Sequence, residues 1–250
     1  MIHQEEPPGQ SNEPQLYAHI SKSFYSARGH QEFGLRAVIH FSAGVTILFG
    51  RSGAGKSTLL DCISGVVEPD AGTVVLRSGA ERQTWFDSPT AINLPPWQRH
   101  VGYIFQKLAL FPHMNVLKNV EYGLAHLPGE ARRDRSIRLL ESFRVEKLIH
   151  RMPDEISGGE RQRVAFARAL VTEPRVLLLD EPLSAIDAWT KFKILDDLRE
   201  WNASRQIPIL YVTHSRSEAA RVGDRVISLD AGTISEGLPV VLEEVEAVED

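Results

Sequence analysis

The sequence predicts an α/β fold: a parallel core sheet with helices on its faces, carrying a helical insertion. Three observations lead there. From about residue 176 to 229, short apolar runs alternate with helical patterns, the order that produces parallel strands joined by helices. A glycine-rich segment, residues 50–58, joins an apolar run to a helical pattern. Between about 107 and 172 the patterns are mostly helical, so that stretch reads as an inserted helical subdomain. The 250 residues suit one large domain or two small ones. A hydrophobic fraction of 42% with 24% charged residues excludes global disorder.

Residues 1–15 hold Pro7, Pro8, Gly9 and Pro14 among polar side chains and read as a disordered acidic tail. Tyr17–Ile20 and Leu35–Phe41 are expected strands. In the second, Leu35, Ala37, Ile39 and Phe41 alternate with Arg36, Val38 and His40. Val45–Phe49, bounded by Gly44 and Gly50, suits a buried strand. A helix is expected from Lys56 to about Ser64. Gly72–Leu76 and Val101–Ile104 are further strands, whereas residues 78–98 are rich in turn formers and receive no element. Asn115–Leu124, Glu130–Phe143 and Ser157–Val171 read as helices. Then come strand Val176–Leu179, helix Asp187–Arg205, strand Ile207–Val212, helix Ser215–Val222 and strand Val226–Leu229, which closes the set. The last ten residues, 241–250, form a second acidic tail.

The formal net charge is −5, but its location matters more than its sum. Residues 1–15 carry three carboxylates and no Lys or Arg, and residues 243–250 carry five. The body between them is slightly basic, which suits a small anionic ligand; no nucleic-acid partner is expected. Cys62 is the only cysteine, so no intrachain disulfide forms. The longest stretch without Asp, Glu, Lys or Arg is Ala37–Gly50, shorter than the ~20 residues of a membrane-spanning helix. No basic and apolar leader opens the chain.

Gly50-Arg51-Ser52-Gly53-Ala54-Gly55-Lys56-Ser57-Thr58 matches G-x-x-x-x-G-K-[ST] with the required strand before it and helix after it. Glycines let the backbone wrap a phosphate, and the helix N-terminus offers unpaired N–H groups. Lys56 is placed to bridge β- and γ-phosphates, and the Ser57 hydroxyl to ligate Mg²⁺. Val176–Leu179 then runs into Asp180 and Glu181. Asp180 is placed to reach the Mg²⁺ shell, and Glu181 to orient or deprotonate an attacking water. Together these segments read as a nucleotide hydrolase. A P-loop GTPase is disfavoured, because neither N-K-x-D nor D-x-x-G occurs.

Ile156-Ser157-Gly158-Gly159-Glu160-Arg161-Gln162-Arg163 resembles the signature of ATP-binding cassette (ABC) ATPases, usually L-S-G-G-Q, with conservative departures at Ile156 and Glu160. Phe105-Gln106 looks like that family's Q-loop, Ser184-Ala185-Ile186-Asp187 like its D-loop, and Tyr211-Val212-Thr213-His214 like its switch histidine. Six elements stand in the family's order, and the likeness covers roughly residues 16–240. It implies a P-loop NTPase fold: a RecA-like parallel core, a small antiparallel β subdomain and an inserted helical subdomain. It implies ATP and Mg²⁺ as cofactors, and a head-to-tail dimer of two copies. Gly50, Arg51, Ser52, Gly53, Ala54, Gly55, Lys56, Ser57 and Thr58 would then bind ATP·Mg²⁺ within one copy. Ser157, Gly158 and Gly159 would meet the γ-phosphate from the other copy, with Asp187 across the interface. By the same resemblance Glu181 is the general base, Asp180 supports Mg²⁺, and His214 contacts the γ-phosphate. Gln106 senses the metal and the water. Phe24, in Lys22-Ser23-Phe24-Tyr25, is the expected adenine stack.

Translation-factor ABC proteins hold two cassettes and DNA-repair types a long coiled coil; neither is visible here. Leu110–Val116 and Arg151–Glu155 look like prokaryotic importer ATPases. Ile47–Gly50, Leu94–Gln106 and Ile209–Ser215 are most similar to the molybdate-type importer ATPase, though sulfate, polyamine and sugar importers share much of this. The implied partners are integral membrane permease subunits and, indirectly, a periplasmic or extracellular solute-binding protein. The implied location is peripheral, on the cytoplasmic face of the membrane. Many such ATPases carry a regulatory β domain of ~100 residues. Only 13 residues stand beyond Gly237, so regulation through such a domain is not expected.

Overall fold

Apolar runs of five or six residues are too short for helices and become buried strands. The computed structural model describes residues 13–236 apart from Ala27, Gly29, Ala185 and Ala231. The core sheet contains β3 (Gly44–Phe49), β7 (Val101–Ile104), β8 (Val176–Asp180), β9 (Pro208–Val212), β10 (Arg225–Asp230) and β11 (Thr233–Glu236), in the order β11-β10-β3-β9-β8-β7. All its pairs are parallel except β10 with β11. The second sheet is antiparallel: β1 (Gln15–Tyr25), β2 (Gln31–Ser42), β4 (Ala71–Ser78), β5 (Glu81–Asp87) and β6 (Ile92–Asn93), ordered β2-β1-β4-β5-β6.

Period-two alternation divides the core strands between two hydrophobic layers. Leu48, Val176, Leu178, Leu210 and Val212 face one layer with the antiparallel sheet and α1 (Lys56–Ser64). Val45, Ile47, Leu177, Leu179, Ile209 and Tyr211 face the other. That layer is completed by α2 (Val116–Glu121), α3 (Gly129–Ser142), α4 (Gly158–Leu170), α5 (Ala188–Ala203) and α6 (Arg216–Val222). Burying a Leu or Val side chain stabilises by about 1.5–3 kcal/mol, so the four fully buried apolar residues of β8, Val176 to Leu179, hold it between the two layers.

Between β7 and β8 the described residues hold helices and turns, with no strand. Among the described residues no helix is long and apolar enough to cross a membrane.

Several elements differ from the sequence reading. Residues 78–98 hold β5, β6 and a 3-10 turn, Pro96–Gln98. Trp85 is an extra residue in β5: Val74 pairs with Phe86 and Val75 with Thr84. Trp85 and Phe86 are therefore both buried, which breaks the alternation that marks a strand. β11 extends the strand set beyond Leu229. Gln15, the end of the expected tail, opens β1; residues 1–12 and 241–250 lie outside the described residues. The helix expected to Leu124 ends at Glu121 and continues as a 3-10 turn.

Arg99 ties the antiparallel sheet to α1. Its side chain is fully buried, with Nη1 donating to the Cys62 and Ile63 carbonyls at 3.0 and 2.9 Å. Nε donates to Leu94 O at 2.8 Å and Nη2 to Asn93 Oδ1 at 3.0 Å. The guanidinium thus satisfies the carbonyls at the C-terminus of α1. Gly65, at φ 83°, leaves it room; a Cβ there would sit 2.7 Å from the guanidinium. Burial lowers the Arg99 pKa to about 10, so it stays charged at neutral pH. Arg99→Met removes the Arg99 donor from the buried Ile63 carbonyl and leaves the Cys62 carbonyl with the Gly65 N–H at 3.3 Å, and it is expected to cost about 2–3 kcal/mol in urea unfolding. A loss below about 0.5 kcal/mol would contradict this role.

Candidate active site

Four neighbouring strands, in the order β3-β9-β8-β7, end on one line. Leu48 and Asp180 both pair with Val212, and Ile104 pairs with Leu179. The residues just past each end therefore meet in one cleft of about 660 Å³. Clefts outside the carboxyl ends of parallel strands are where open α/β sheets place ligands.

β3 delivers the glycine-rich loop. Gly53 and Gly55 have φ of 79° and 102°, a region that side chains disfavour. A Cβ on Gly55 would also sit 2.6 Å from the Phe33 ring. Gly55 caps α1 without any side-chain hydrogen bond, so the helix N-terminus is left open to an anion. Lys56 is buried, and its Nζ donates to the Gly50 and Arg51 carbonyls at 2.8 and 3.0 Å. Gly50, Arg51, Ser52, Ser57 and Thr58 line the cleft, while Ala54 packs into the core beneath the loop.

β8 delivers two carboxylates into different surroundings. Asp180 is 8% exposed. Burial raises its pKa, against the Ser57 hydroxyl bond and Lys56, which lower it; neighbouring Glu181 adds to the rise. Glu181 sits at φ 44°, and its N–H donates to Val212 O at 3.0 Å. That left-handed step turns its side chain out of the strand's alternation. Gln106 Nε2, from beyond β7, approaches Glu181 Oε2 at 3.4 Å. His214 Nδ1, from beyond β9, lies 3.6 Å from the same oxygen. The cleft thus brings together Lys56, Ser57, Gln106, Asp180, Glu181 and His214.

The other expected residues lie elsewhere. Phe24 does not line the cleft; its ring is 6.2 Å from that of Phe33, its cross-strand partner on β2, and Phe33 lines the cleft instead. The alternation legible in the sequence starts at Leu35, and only the β1–β2 register identifies Phe33. Ser157, Gly158, Gly159 and Asp187 line a separate cleft of about 490 Å³. Ser157 caps α4 in a capping box with Glu160, whose carboxylate accepts the Ser157 N–H at 2.7 Å and is held below its usual pKa by Ser157. Asp187 caps α5 by accepting the Thr190 N–H at 3.0 Å, and that bond lowers its pKa. Gly159 permits this packing, since a Cβ would meet Thr190 at 2.8 Å. Trp189, 67% exposed, lines the same cleft with Lys193 Nζ over its ring; the sequence motifs did not single it out.

The model of the family described as ABC transporter matches residues 40–184, more than half of the chain. The chain belongs to the ABC transporter family. It is 41% identical over 198 residues to a molybdenum import ATP-binding protein, ModC, of Pseudomonas syringae pv. syringae, covering 79% of this chain and 54% of that protein. The ModC of Haemophilus ducreyi is 42% identical over 209 residues, covering 82% of this chain and 57% of the relative. The chain spans about half the length of these curated relatives. Among solved structures, the ATP-binding cassette MJ0796, described as a dimer in a post-hydrolysis state bound to ADP and Pi, superposes with a TM-score of 0.72 at 28% identity, covering 90% of this chain and 100% of that one. The expected P-loop NTPase fold is therefore the one observed.

Asp180 allows a pH test. A carboxyl whose pKa is raised by folding contributes stability while protonated and loses it as pH rises through the folded pKa. Asp180→Asn is therefore expected to stabilise the nucleotide-free protein by about 0.5–2 kcal/mol at neutral pH. The gain should vanish as pH falls below the unfolded carboxyl's pKa of 3.8. Urea unfolding at several pH values checks this; a gain that grows in acid would contradict it.

Proposed function

We propose that this chain is the ATP-hydrolysing subunit of a prokaryotic importer that takes up molybdate or a similar oxyanion. The observation that carries the reading is the convergence of Lys56, Ser57, Gln106, Asp180, Glu181 and His214 at four adjacent strand ends. The relatives named for molybdenum import support the choice of solute.

ATP phosphates would lie over the open N-terminus of α1, and Lys56 would exchange its two carbonyl partners for phosphate oxygens. The oxygen donors of Ser57, Asp180 and Gln106 suit Mg²⁺, a hard cation that binds through few protein ligands plus phosphate. When bound, Mg²⁺ neutralises charge on the β- and γ-phosphates. Glu181 would take a proton from the attacking water at its carboxylate, while Gln106 and His214 flank that carboxylate and orient water and γ-phosphate. Phe33 would stack on adenine, with Phe24 behind it.

A second copy would bring its Ser157, Gly158 and Gly159 over the γ-phosphate, with Asp187 at the interface. Tighter binding of ATP to the closed pair would drive two membrane permease subunits, because only differential affinity shifts a conformational equilibrium. The permease would dock beside the segment from Phe105 to Val116. A groove of about 720 Å³ lined by Met114, Tyr122, His150 and Met152 lies there. Phe111 supports its wall, packed 4.6 Å from the Tyr122 ring with Arg168 over its face. Arg168, on α4, also donates to the Leu108 and Ala109 carbonyls at 2.8 and 2.7 Å, which ties the segment after Gln106 to the signature helix. The chain would sit peripherally on the cytoplasmic face, with a solute-binding protein supplying the permease from outside.

Glu181→Gln is expected to keep ATP affinity, accumulate as a nucleotide-bound dimer and lose turnover by ~100-fold or more. Turnover near the wild-type rate would sink the general-base assignment. In the same binding titration Phe33→Ala should weaken ATP binding ~5–10-fold, and Phe24→Ala should leave it unchanged.

A further inference from the structure

Glu218, on α6, is buried, with its side chain 3% exposed. Three donors from different parts of the chain converge on its carboxylate. Lys191 Nζ, from α5, reaches Oε1 at 2.9 Å. The Tyr211 hydroxyl of β9 and the Thr213 hydroxyl each donate to Oε2 at 2.7 Å. A buried carboxylate is tolerated only when paired and hydrogen-bonded, and this one has a cation and two hydroxyls.

The bonds continue around His214. Thr213 Oγ1, having donated to Glu218, accepts the Ser215 N–H at 3.0 Å. Ser215 Oγ accepts the Glu218 N–H at 3.3 Å. The residues on both sides of His214 are therefore bound into the Glu218 network, while the His214 side chain itself is 71% exposed. Its imidazole stands 3.6 Å from Glu181 on a backbone held from beneath. The same carboxylate reaches α5 through Lys191, four residues after the Asp187 cap.

We propose that Glu218 is a positioning residue for His214. It fixes the Thr213–Ser215 backbone so that the imidazole faces Glu181, and through Lys191 it couples that placement to α5 and the Asp187 turn. The kinetic part of this inference rests on the proposed reading of the cleft as an ATP-hydrolysing site; the structural part does not.

The test has two arms on the full chain. In the first, amide hydrogen exchange is followed in nucleotide-free protein. Glu218→Gln and Lys191→Met should each speed exchange in 213–217 by ~10-fold or more, with β8 and the phosphate loop unchanged. In the second, ATP turnover is measured: Glu218→Gln should lower kcat ~10-fold or more while KM for ATP stays within about twofold. Unchanged exchange in 213–217, an equal rise across β8 and the phosphate loop, or a raised KM at unchanged kcat would overturn the proposal. If Glu218→Gln fails to fold, Thr213→Val and Lys191→Met carry both comparisons. A wild type without ATP turnover would count against the proposed function, and the exchange arm would still decide the positioning role.

Discussion

Everything at the cleft depends on the register of four parallel strands. Val212 pairs with both Leu48 and Asp180, and Leu179 pairs with Ile104, so the glycine-rich loop, the two carboxylates, Gln106 and His214 emerge side by side. Burial on both faces enforces that register. A one-residue slip of β8 would exchange Leu178 and Leu179 between layers and carry Asp180 away from Ser57. The antiparallel sheet and α1 cover one face, the remaining helices the other. Arg99 secures the far end of α1, whose near end is the phosphate loop.

Asp180 and Glu181 show how adjacent residues acquire different chemistry. Asp180 keeps the strand's geometry, stays buried and bonds Ser57. Glu181 leaves it at a φ of 44°, a conformation that costs a non-glycine residue about 1–3 kcal/mol, and faces Gln106 and His214. Two environments one residue apart separate a buried carboxylate beside Ser57 from one that faces Gln106 and His214, the arrangement that lets neighbouring acids take different roles.

Local features were legible in the sequence. Glycines at positive φ, Lys56 and Ser57 at the helix start, and carboxylates at a strand end each encode their own backbone setting. The central strands read directly because both faces are buried and the runs are continuous. What depended on distant pairing did not read. Trp85 and Phe86 break alternation because β5 bulges against β4, so the sequence of β5 carries no period-two signature. Phe33 gains its place from the β1–β2 register, and the carboxylate of Glu218 from partners on α5 and β9. Cys62 and Ile63 offered no sign that Arg99, more than thirty residues away, would satisfy their carbonyls.

The structure places the phosphate loop and the Ser157–Gly159 turn in separate clefts of one chain, and the proposed function unites them between two copies. Mixing two inactive variants tests this most directly. Lys56→Ala disables the phosphate loop. Gly158→Asp sets a carboxylate at the signature, where a Cβ has room, its nearest neighbour being Ile186 at 3.7 Å. In a head-to-tail pair of one of each, one site holds both defects and the other holds none. The account predicts that the mixture regains ATP turnover that neither variant shows alone. A mixture no more active than the sum of its parts would contradict it.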